Sequence, residues 1–176
     1  MGCVVALSGI CAPQAINTRY TDVEYHFSFL PPAGWKRKAD VPAPAVDFVG
    51  PKFGNFTANI VVNVYSGPFL PAEEEKRVQS VQVQYGTIFT IGTAKLGGEP
   101  AHSWRTRLHV PGFPALENHQ IFCLHNGHAV EITLTAPPTV MKKVDPVFDR
   151  VLASFRWEDK KPDKPLSPGT KKDTGH

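Results

Sequence analysis

Residues 117–136 read ENHQIFCLHNGHAVEITLTA, and this stretch decides the fold. Asn126-Gly127 at its centre supplies the two positive-φ positions of a type I′ turn, which joins adjacent antiparallel strands. The resulting register pairs three residues of the first strand with three of the second: Cys123 with Val130, Ile121 with Ile132, and His119 with Leu134. One face of this hairpin is apolar, so we expect it to pack against a helix.

Further strand patterns lie N-terminal to the hairpin. Apolar and polar side chains alternate with period two from Thr57 to Tyr65, which predicts a strand with one buried face. Two more strands are predicted around the tight connection Gly97-Gly98, at Thr87 to Leu96 and Pro100 to Val110. Shorter strands are predicted at three places: Tyr25 to Leu30, Trp35 to Ala39, and Ala45 to Val49.

Two helices are predicted. Pro71 to Tyr85 begins with a proline and three glutamates, which suit the first turn of a helix. Asp145-Pro146 has the pattern of an N-cap followed by proline at the first helical position, and it predicts a second, shorter helix. Residues 154–157 then return as a last strand, so the whole pattern predicts one α+β domain.

Composition excludes several functional classes. The chain has 176 residues with a net charge of only +3, and five of its twelve lysines lie in the C-terminal tail. Nucleic acid is therefore a poor candidate partner, because no basic stripe with interleaved aromatic residues occurs. The three cysteines Cys3, Cys11 and Cys123 are an odd number, which argues against a disulfide framework.

The two ends differ from the domain between them. Residues 1–18 resemble part of an export signal, and the alternative is a disordered cytosolic leader. Cys3 and Cys11 are candidate lipidation sites that could anchor the chain to a membrane; Gly2-Cys3 suits the end of a bacterial lipoprotein signal better. Residues 19–157 form the domain, and the charged, proline-rich residues 158–176 are predicted to be disordered.

Histidine is the residue type in this chain most able to bind a metal or take part in a reaction. His125 and His128 flank the Asn126-Gly127 turn and should face each other, so they are candidate metal ligands, with Cys123 or Glu117 as further donors. Their spacing matches no recognised zinc motif, and exposed surface histidines are the competing interpretation. Ser154 and Cys123 lack the sequence context of nucleophiles, so no catalytic residue and no cofactor are expected.

Four aromatic residues have two interpretations. They are part of the core, or they line a shallow cleft that could take an apolar ligand or a peptide: Trp35, Phe53, Phe56 and Trp104.

Seven short motifs occur in a characteristic order: Phe27-Ser28-Phe29, Pro32-x-Gly34-Trp35, Asn59-Ile60, a glutamate-rich helix, Leu96-Gly97-Gly98-Glu99-Pro100-Ala101, Leu134-Thr135-Ala136, and Val151-Leu152-x-Ser154-Phe155. Over about residues 20–157 the chain resembles the Mog1/PsbP-like superfamily, including DcrB-like and related bacterial lipoproteins. The resemblance implies a central antiparallel sheet with helices packed on both faces, an α/β/α sandwich.

The resemblance also implies a function by binding rather than by catalysis. PsbP-like members help retain calcium and chloride at photosystem II, Mog1-like members bind the GTPase Ran, and many bacterial members are exported. We therefore expect a non-catalytic accessory protein, exported or lipid-anchored, that binds another protein as a monomer or weak oligomer. The alternatives are a cytosolic Mog1-like interaction module and a small-molecule or metal binder that uses the hairpin histidines.

Overall fold

The computed structural model describes residues 18–43, 45–66, 76, 80, 86–109 and 114–159. The elements within these residues follow in this order: β1 (Tyr20–Asp22), β2 (Phe27–Phe29), β3 (Lys36–Arg37), β4 (Val46–Phe53), β5 (Phe56–Ser66), β6 (Gly86–Leu96), β7 (Glu99–Leu108), β8 (Leu116–His125), β9 (His128–Ala136), α1 (Pro138–Ser154) and β10 (Arg156–Trp157). Of the predicted helix Pro71 to Tyr85, only Lys76 and Ser80 are described, and both have helical conformation. The rest of that helix lies outside the described residues.

The main sheet is antiparallel, with the strand order β3-β4-β5-β9-β8-β7-β6. A second, small sheet has the order β1-β2-β10 and so brings the first and last described strands together. The predicted strand Thr57 to Tyr65 is confirmed within β5, where Ala58, Ile60 and Val62 are fully buried. The strands on either side of Gly97-Gly98 are confirmed as β6 and β7.

The central hairpin has the predicted turn and register. Asn126 has φ 47° and Gly127 has φ 80°, the left-handed conformations that a type I′ turn requires. Three predicted pairs are observed in β8 and β9: Cys123 with Val130, Ile121 with Ile132, and His119 with Leu134. The turn dipeptide therefore specified the register of the hairpin.

Helix α1 covers the apolar face of this hairpin, as predicted. Its residues Met141, Val144, Phe148 and Val151 are buried at spacings of three and four, so they form one stripe along the helix. That stripe joins the β5, β8 and β9 side chains in the main core. The expectation of helices on both faces is not supported: the only helix that the described residues form in full packs on one face.

The start of α1 corrects a second expectation. The helix begins at Pro138, after Pro137 at the N-cap position, and Pro146 lies inside it. Asp145 is therefore not an N-cap. Its carboxylate instead accepts a hydrogen bond from the Arg105 guanidinium at 2.9 Å, and this contact with the sheet accounts for an aspartate in mid-helix.

The N-terminal strand prediction is also only partly right. Tyr25 belongs to a turn, and the strand β2 is limited to residues 27–29. The carboxylate of Asp22 accepts hydrogen bonds from the backbone N–H groups of Glu24 and Tyr25, at 3.1 and 2.9 Å. Such an aspartate turn diverts the backbone from strand pairing, and β1 then pairs with β2 across it.

Candidate partner-binding site

Strand β6 is an edge strand of the main sheet. It has eleven residues and pairs with β7 on one side. Among the described residues, no strand pairs with its other side. The opposite edge of the sheet is β3, which has two residues, both charged. The two edges therefore differ: β3 is short and fully charged, which is a common protection against unwanted pairing, whereas β6 is long and has a single charged residue, Lys95.

The geometry of the β6–β7 hairpin fixes which backbone groups of β6 point outward. Leu96 and Glu99 flank the two-residue turn and form its closing hydrogen-bonded pair. Backbone groups alternate in direction along an antiparallel strand. The N–H and C=O groups of Ile91, Thr93 and Lys95 therefore point away from β7, toward the side on which no described strand pairs.

Two large apolar side chains of β6 are exposed. Phe89 is 48% exposed and Ile91 is 58% exposed, and only Val23 has a larger exposed fraction among the large apolar residues described. Phe89 lies at a β-bulge between Ile88 and Thr90, where the register with β7 shifts by one residue. The Arg107 guanidinium lies 5.4 Å from the centre of the Phe89 ring, which places a cation beside the exposed aromatic face.

The exposed cations near this edge are Lys95 and Arg107. Lys95 is the only ionisable residue of β6. The neighbouring β7 contributes Arg107, whereas its Arg105 is paired with Glu117 and Asp145, and Glu99 is the only acidic residue of β7. Glu117 on β8 forms ion pairs with Arg105 and Arg107, at 3.4 and 3.3 Å, but about half of the Arg107 side chain stays exposed. A ligand at this edge would therefore meet apolar side chains flanked by cations.

The two histidines predicted as metal ligands pair across the hairpin turn, as expected from the sequence. Their rings nevertheless have different surroundings. His125 stacks on Trp157 with ring centres 3.9 Å apart, and its Nε2 is 2.6 Å from Asp159 Oδ2. His128 contacts the Tyr25 ring edge-on at 5.1 Å. Each ring thus has its own aromatic partner.

The further metal donors that the sequence suggested do not assemble with these histidines. Glu117 lies at the opposite end of β8, roughly 26 Å from His125 at ~3.3 Å per residue. Cys123 is buried, and its thiol donates to the Pro100 carbonyl at 3.4 Å. Among the described residues, no group of three or more histidine, cysteine, aspartate or glutamate side chains is arranged to hold a metal ion.

Cys123 and Ser154 have structural contacts. Burial, with a smaller contribution from Glu99, raises the pKa of the Cys123 thiol to about 12, so the thiol is protonated at neutral pH. The Ser154 hydroxyl donates to the Val151 carbonyl and accepts from the Leu30 N–H, both at 2.8 Å. The candidate lipidation sites Cys3 and Cys11 lie outside the described residues.

The four aromatic residues of the suggested cleft separate in the fold. Phe53 and Phe56 line a shallow groove of about 550 Å³ between the β4–β5 turn and the start of α1. Trp35 packs against the main core beside Gly50, where an added methyl group would lie 2.4 Å from its ring. Trp104 is fully buried in a second cluster with Phe122 and Ala129, on the sheet face opposite α1.

A polar cluster that the sequence did not reveal joins α1 to the sheet. Asp145 binds Arg105 through one carboxylate oxygen at 2.9 Å and His119 Nδ1 through the other at 3.1 Å. Burial and the positive charge of Arg105 lower the pKa of His119, and Asp145 opposes this only in part. The same His119 Nδ1 also lies 3.1 Å from the Arg105 guanidinium, so the three side chains meet at one point and the cluster connects α1 to the sheet.

The fold has counterparts among solved structures. LpqN of Mycobacterium tuberculosis, involved in cell envelope biogenesis, matches with a TM-score of 0.60 and 13% identity over 79% of this chain and 88% of that one. Cyanobacterial PsbP (CyanoP) from Synechocystis sp. PCC 6803 matches with a TM-score of 0.57 and 17% identity over 85% and 98%. PA94 from Pseudomonas aeruginosa, a protein of unknown function, matches with a TM-score of 0.54 and 16% identity over 75% and 90%.

The chain has a PsbP-like fold. At these identities the likeness shows the architecture alone. No protein-family model and no curated protein sequence matches the chain. Across the residues described, no helix combines the length and hydrophobicity needed to cross a lipid bilayer.

Proposed function

We propose that this protein is a non-catalytic accessory protein that acts outside the cytoplasm, exported or lipid-anchored, by binding another protein. The observation that carries the proposal is the edge of β6 with which no described strand pairs. An exposed row of backbone donors and acceptors next to exposed apolar side chains is a surface that other chains can use for pairing.

The composition of β6 strengthens this interpretation. Natural edge strands are commonly protected by charges, prolines, β-bulges or short length. Strand β6 has eleven residues, one lysine and no proline, and its bulge at Phe89 leaves residues 90–96 regularly paired with β7. Phe89 and Ile91 remain about half exposed in spite of their size. A partner that covers them would remove apolar surface from water, which favours association.

The two side chains most capable of nucleophilic chemistry support the non-catalytic part. The Cys123 thiol is buried and protonated, and the Ser154 hydroxyl is hydrogen-bonded at the end of α1. A nucleophile needs an accessible atom and a neighbouring base. Neither residue offers both, so binding is the function that the described side chains support best.

The location outside the cytoplasm is supported by two observations of a different kind. The leader carries Cys3 and Cys11 in an export-signal-like context. The protein also shares its fold with LpqN, which is involved in cell envelope biogenesis. An exported protein with a lipid on a leader cysteine would be held at the membrane surface, with its domain free to reach a partner.

Cross-linking in the native cells tests the binding function. A photoreactive amino acid replaces Phe89 in one variant and Val23, which is more exposed and lies far along the chain, in a control variant. We expect one defined adduct from position 89 and none from position 23, and the adduct protein should co-purify with the wild-type chain. Equal labelling from both positions, or no adduct at position 89, would contradict the proposal.

Intact mass after cell fractionation tests the location. A shortened chain with a diacylglycerol addition on Cys3 or Cys11 in the envelope fraction would support export and anchoring. A full-length, unmodified chain in the cytosol would contradict export and would favour the cytosolic Mog1-like interaction module instead. Nucleotide-loaded GTPases would then be the first partners to test.

A further inference from the structure

We propose that the partner binds β6 as one additional strand and that this strand carries acidic side chains among its apolar residues. The proposal rests on the binding function proposed above and adds the mode of recognition and the chemistry of the partner. The surface concerned, the β6 edge, consists of residues 89–95 and the neighbouring Arg107.

The backbone of the β6 edge defines the mode. Ile91, Thr93 and Lys95 direct their N–H and C=O groups outward, because the closing pair Leu96–Glu99 sets the alternation. An extended segment of five or so residues could satisfy all of these groups at once. Helical ligands could not do so, since their own backbone groups are already paired.

The side chains of the β6 edge define the chemistry. Ile91 pairs with Trp104 in the β6–β7 register and therefore lies on the same sheet face, whereas the bulge at Phe89 turns that residue out of the regular alternation. Lys95 is exposed at one end of the edge and the Arg107 guanidinium lies over Phe89 at the other. A partner strand should bind most tightly if its apolar residues cover Ile91 and Phe89 and a carboxylate pairs with Lys95 or Arg107.

Charge also decides against a second copy of the chain as the occupant. A two-fold pairing centred on Thr93 would set Ile91 of one copy opposite Lys95 of the other. It would bring two more cations, Lys95 and Arg107, to the same edge and supply no carboxylate from β6. That pairing gives these cations no carboxylate partner across the edge, so a different chain with acidic side chains fits the edge better.

Selection from a displayed library of random peptides, each about twelve residues long, tests the proposal on the full-length chain. We expect the selected peptides to be enriched in aspartate and glutamate at alternate positions between β-branched or aromatic residues. Thr93→Pro removes one outward N–H without touching a β6–β7 hydrogen bond, and edge strands tolerate proline. It should weaken binding of the selected peptides about tenfold or more, whereas Thr93→Ala should leave binding unchanged. Lys95→Glu should weaken binding of the same peptides, and a selection repeated on this variant should return basic sequences.

Several results would overturn the proposal. These are a selection that returns no binders, peptides without acidic enrichment, or equal binding by the Thr93→Pro and Thr93→Ala proteins. Sedimentation that shows a dimer dissociated by Thr93→Pro would identify a second copy as the occupant. If position 89 still cross-links a partner in cells but the peptide experiments give one of these overturning results, then the protein binds a partner and the proposed strand addition is wrong. Circular dichroism confirms that Thr93→Pro is folded before any comparison.

Discussion

The imidazole of His125 stacks on the indole of Trp157, with ring centres 3.9 Å apart and planes inclined by 12°. The Trp157 Nε1 donates to the Leu96 carbonyl at 3.1 Å, and His125 Nε2 lies 2.6 Å from Asp159 Oδ2. The last described strand is thereby attached to the tips of both hairpins. Because β10 also pairs with β2, this stack connects the small sheet to the main one.

Replacement of His125 by alanine should therefore destabilise the domain. The change removes the ring stack and the Asp159 contact from a side chain that is only 15% exposed. We expect the free energy of unfolding to fall by about 1–2 kcal/mol. Urea denaturation measures this change. The exposed His109→Ala is the control and should stay within about 0.5 kcal/mol of wild type; an equal loss in both variants would contradict a structural role of the stack.

Gly97 tests the same junction from the other side. An added Cβ would lie 2.7 Å from Trp157 Cδ1, whereas the same atom at Gly98 meets nothing within 4 Å. Both glycines have positive φ, so both alanine variants carry backbone strain. We expect Gly97→Ala to lower the unfolding free energy by about 1 kcal/mol or more beyond Gly98→Ala. The fluorescence emission of Trp157 should shift only in Gly97→Ala. Equal unfolding free energies of the two variants would show that the Trp157 side chain moves aside without loss of stability.

Local sequence signals predicted the hairpins well, for a physical reason. Asn126-Gly127 and Gly97-Gly98 impose turn geometry within two residues, and the alternation in β5 marks its buried face. Each of these signals is complete within about ten residues, so no tertiary context is needed to interpret it. The register of β8 and β9 follows from them.

Other features depend on contacts between distant residues. Asp145-Pro146 has the pattern of a helix start, but the Arg105 and His119 side chains on the sheet give Asp145 a place inside α1. The edge position of β6 depends on strand order, which no local pattern encodes. His125 was predicted to face His128, but its stack on Trp157 joins residues 32 positions apart. The surroundings of the candidate site residues thus depend on tertiary contacts and could not be predicted from local sequence.

The hairpin histidines give a direct test of the metal-binding alternative. Trp157 and Asp159 already engage the His125 ring, and His128 contacts Tyr25. We therefore expect equimolar Zn²⁺ to leave the unfolding temperature of the wild-type protein unchanged. The variant with both His125→Ala and His128→Ala is the comparison. A stabilisation by zinc in wild type that is lost in this variant would establish the metal site after all.

Pro146 offers a test of the corrected helix. It lies exposed inside α1 and has no N–H to donate to the carbonyl four residues earlier. Pro146→Ala restores that donor but makes the unfolded chain more flexible. We expect a net stabilisation of about 1 kcal/mol in urea denaturation. A loss of stability would mean that α1 is bent by Pro146 in a way that its packing on β8 and β9 requires.

The acid stability of the domain should depend on His119. Burial and Arg105 lower the pKa of His119 in the folded state, while Asp145 and Asp149 oppose this in part. In the unfolded chain the pKa is about 6.5. As the pH falls below about 6.5, the unfolded state therefore binds more protons at this position than the folded state does, and stability declines. The decline from this one group is at most about 1.4 kcal/mol per pH unit and ends below the folded-state pKa.

His119→Gln can still donate to Asp145 but does not titrate. Urea denaturation from about pH 8 to 5 should thus give wild type the steeper loss of stability, even if His119→Gln is less stable at every pH. Parallel curves for the two proteins would show that His119 takes up its proton equally in both states, which would contradict a lowered pKa in the folded protein.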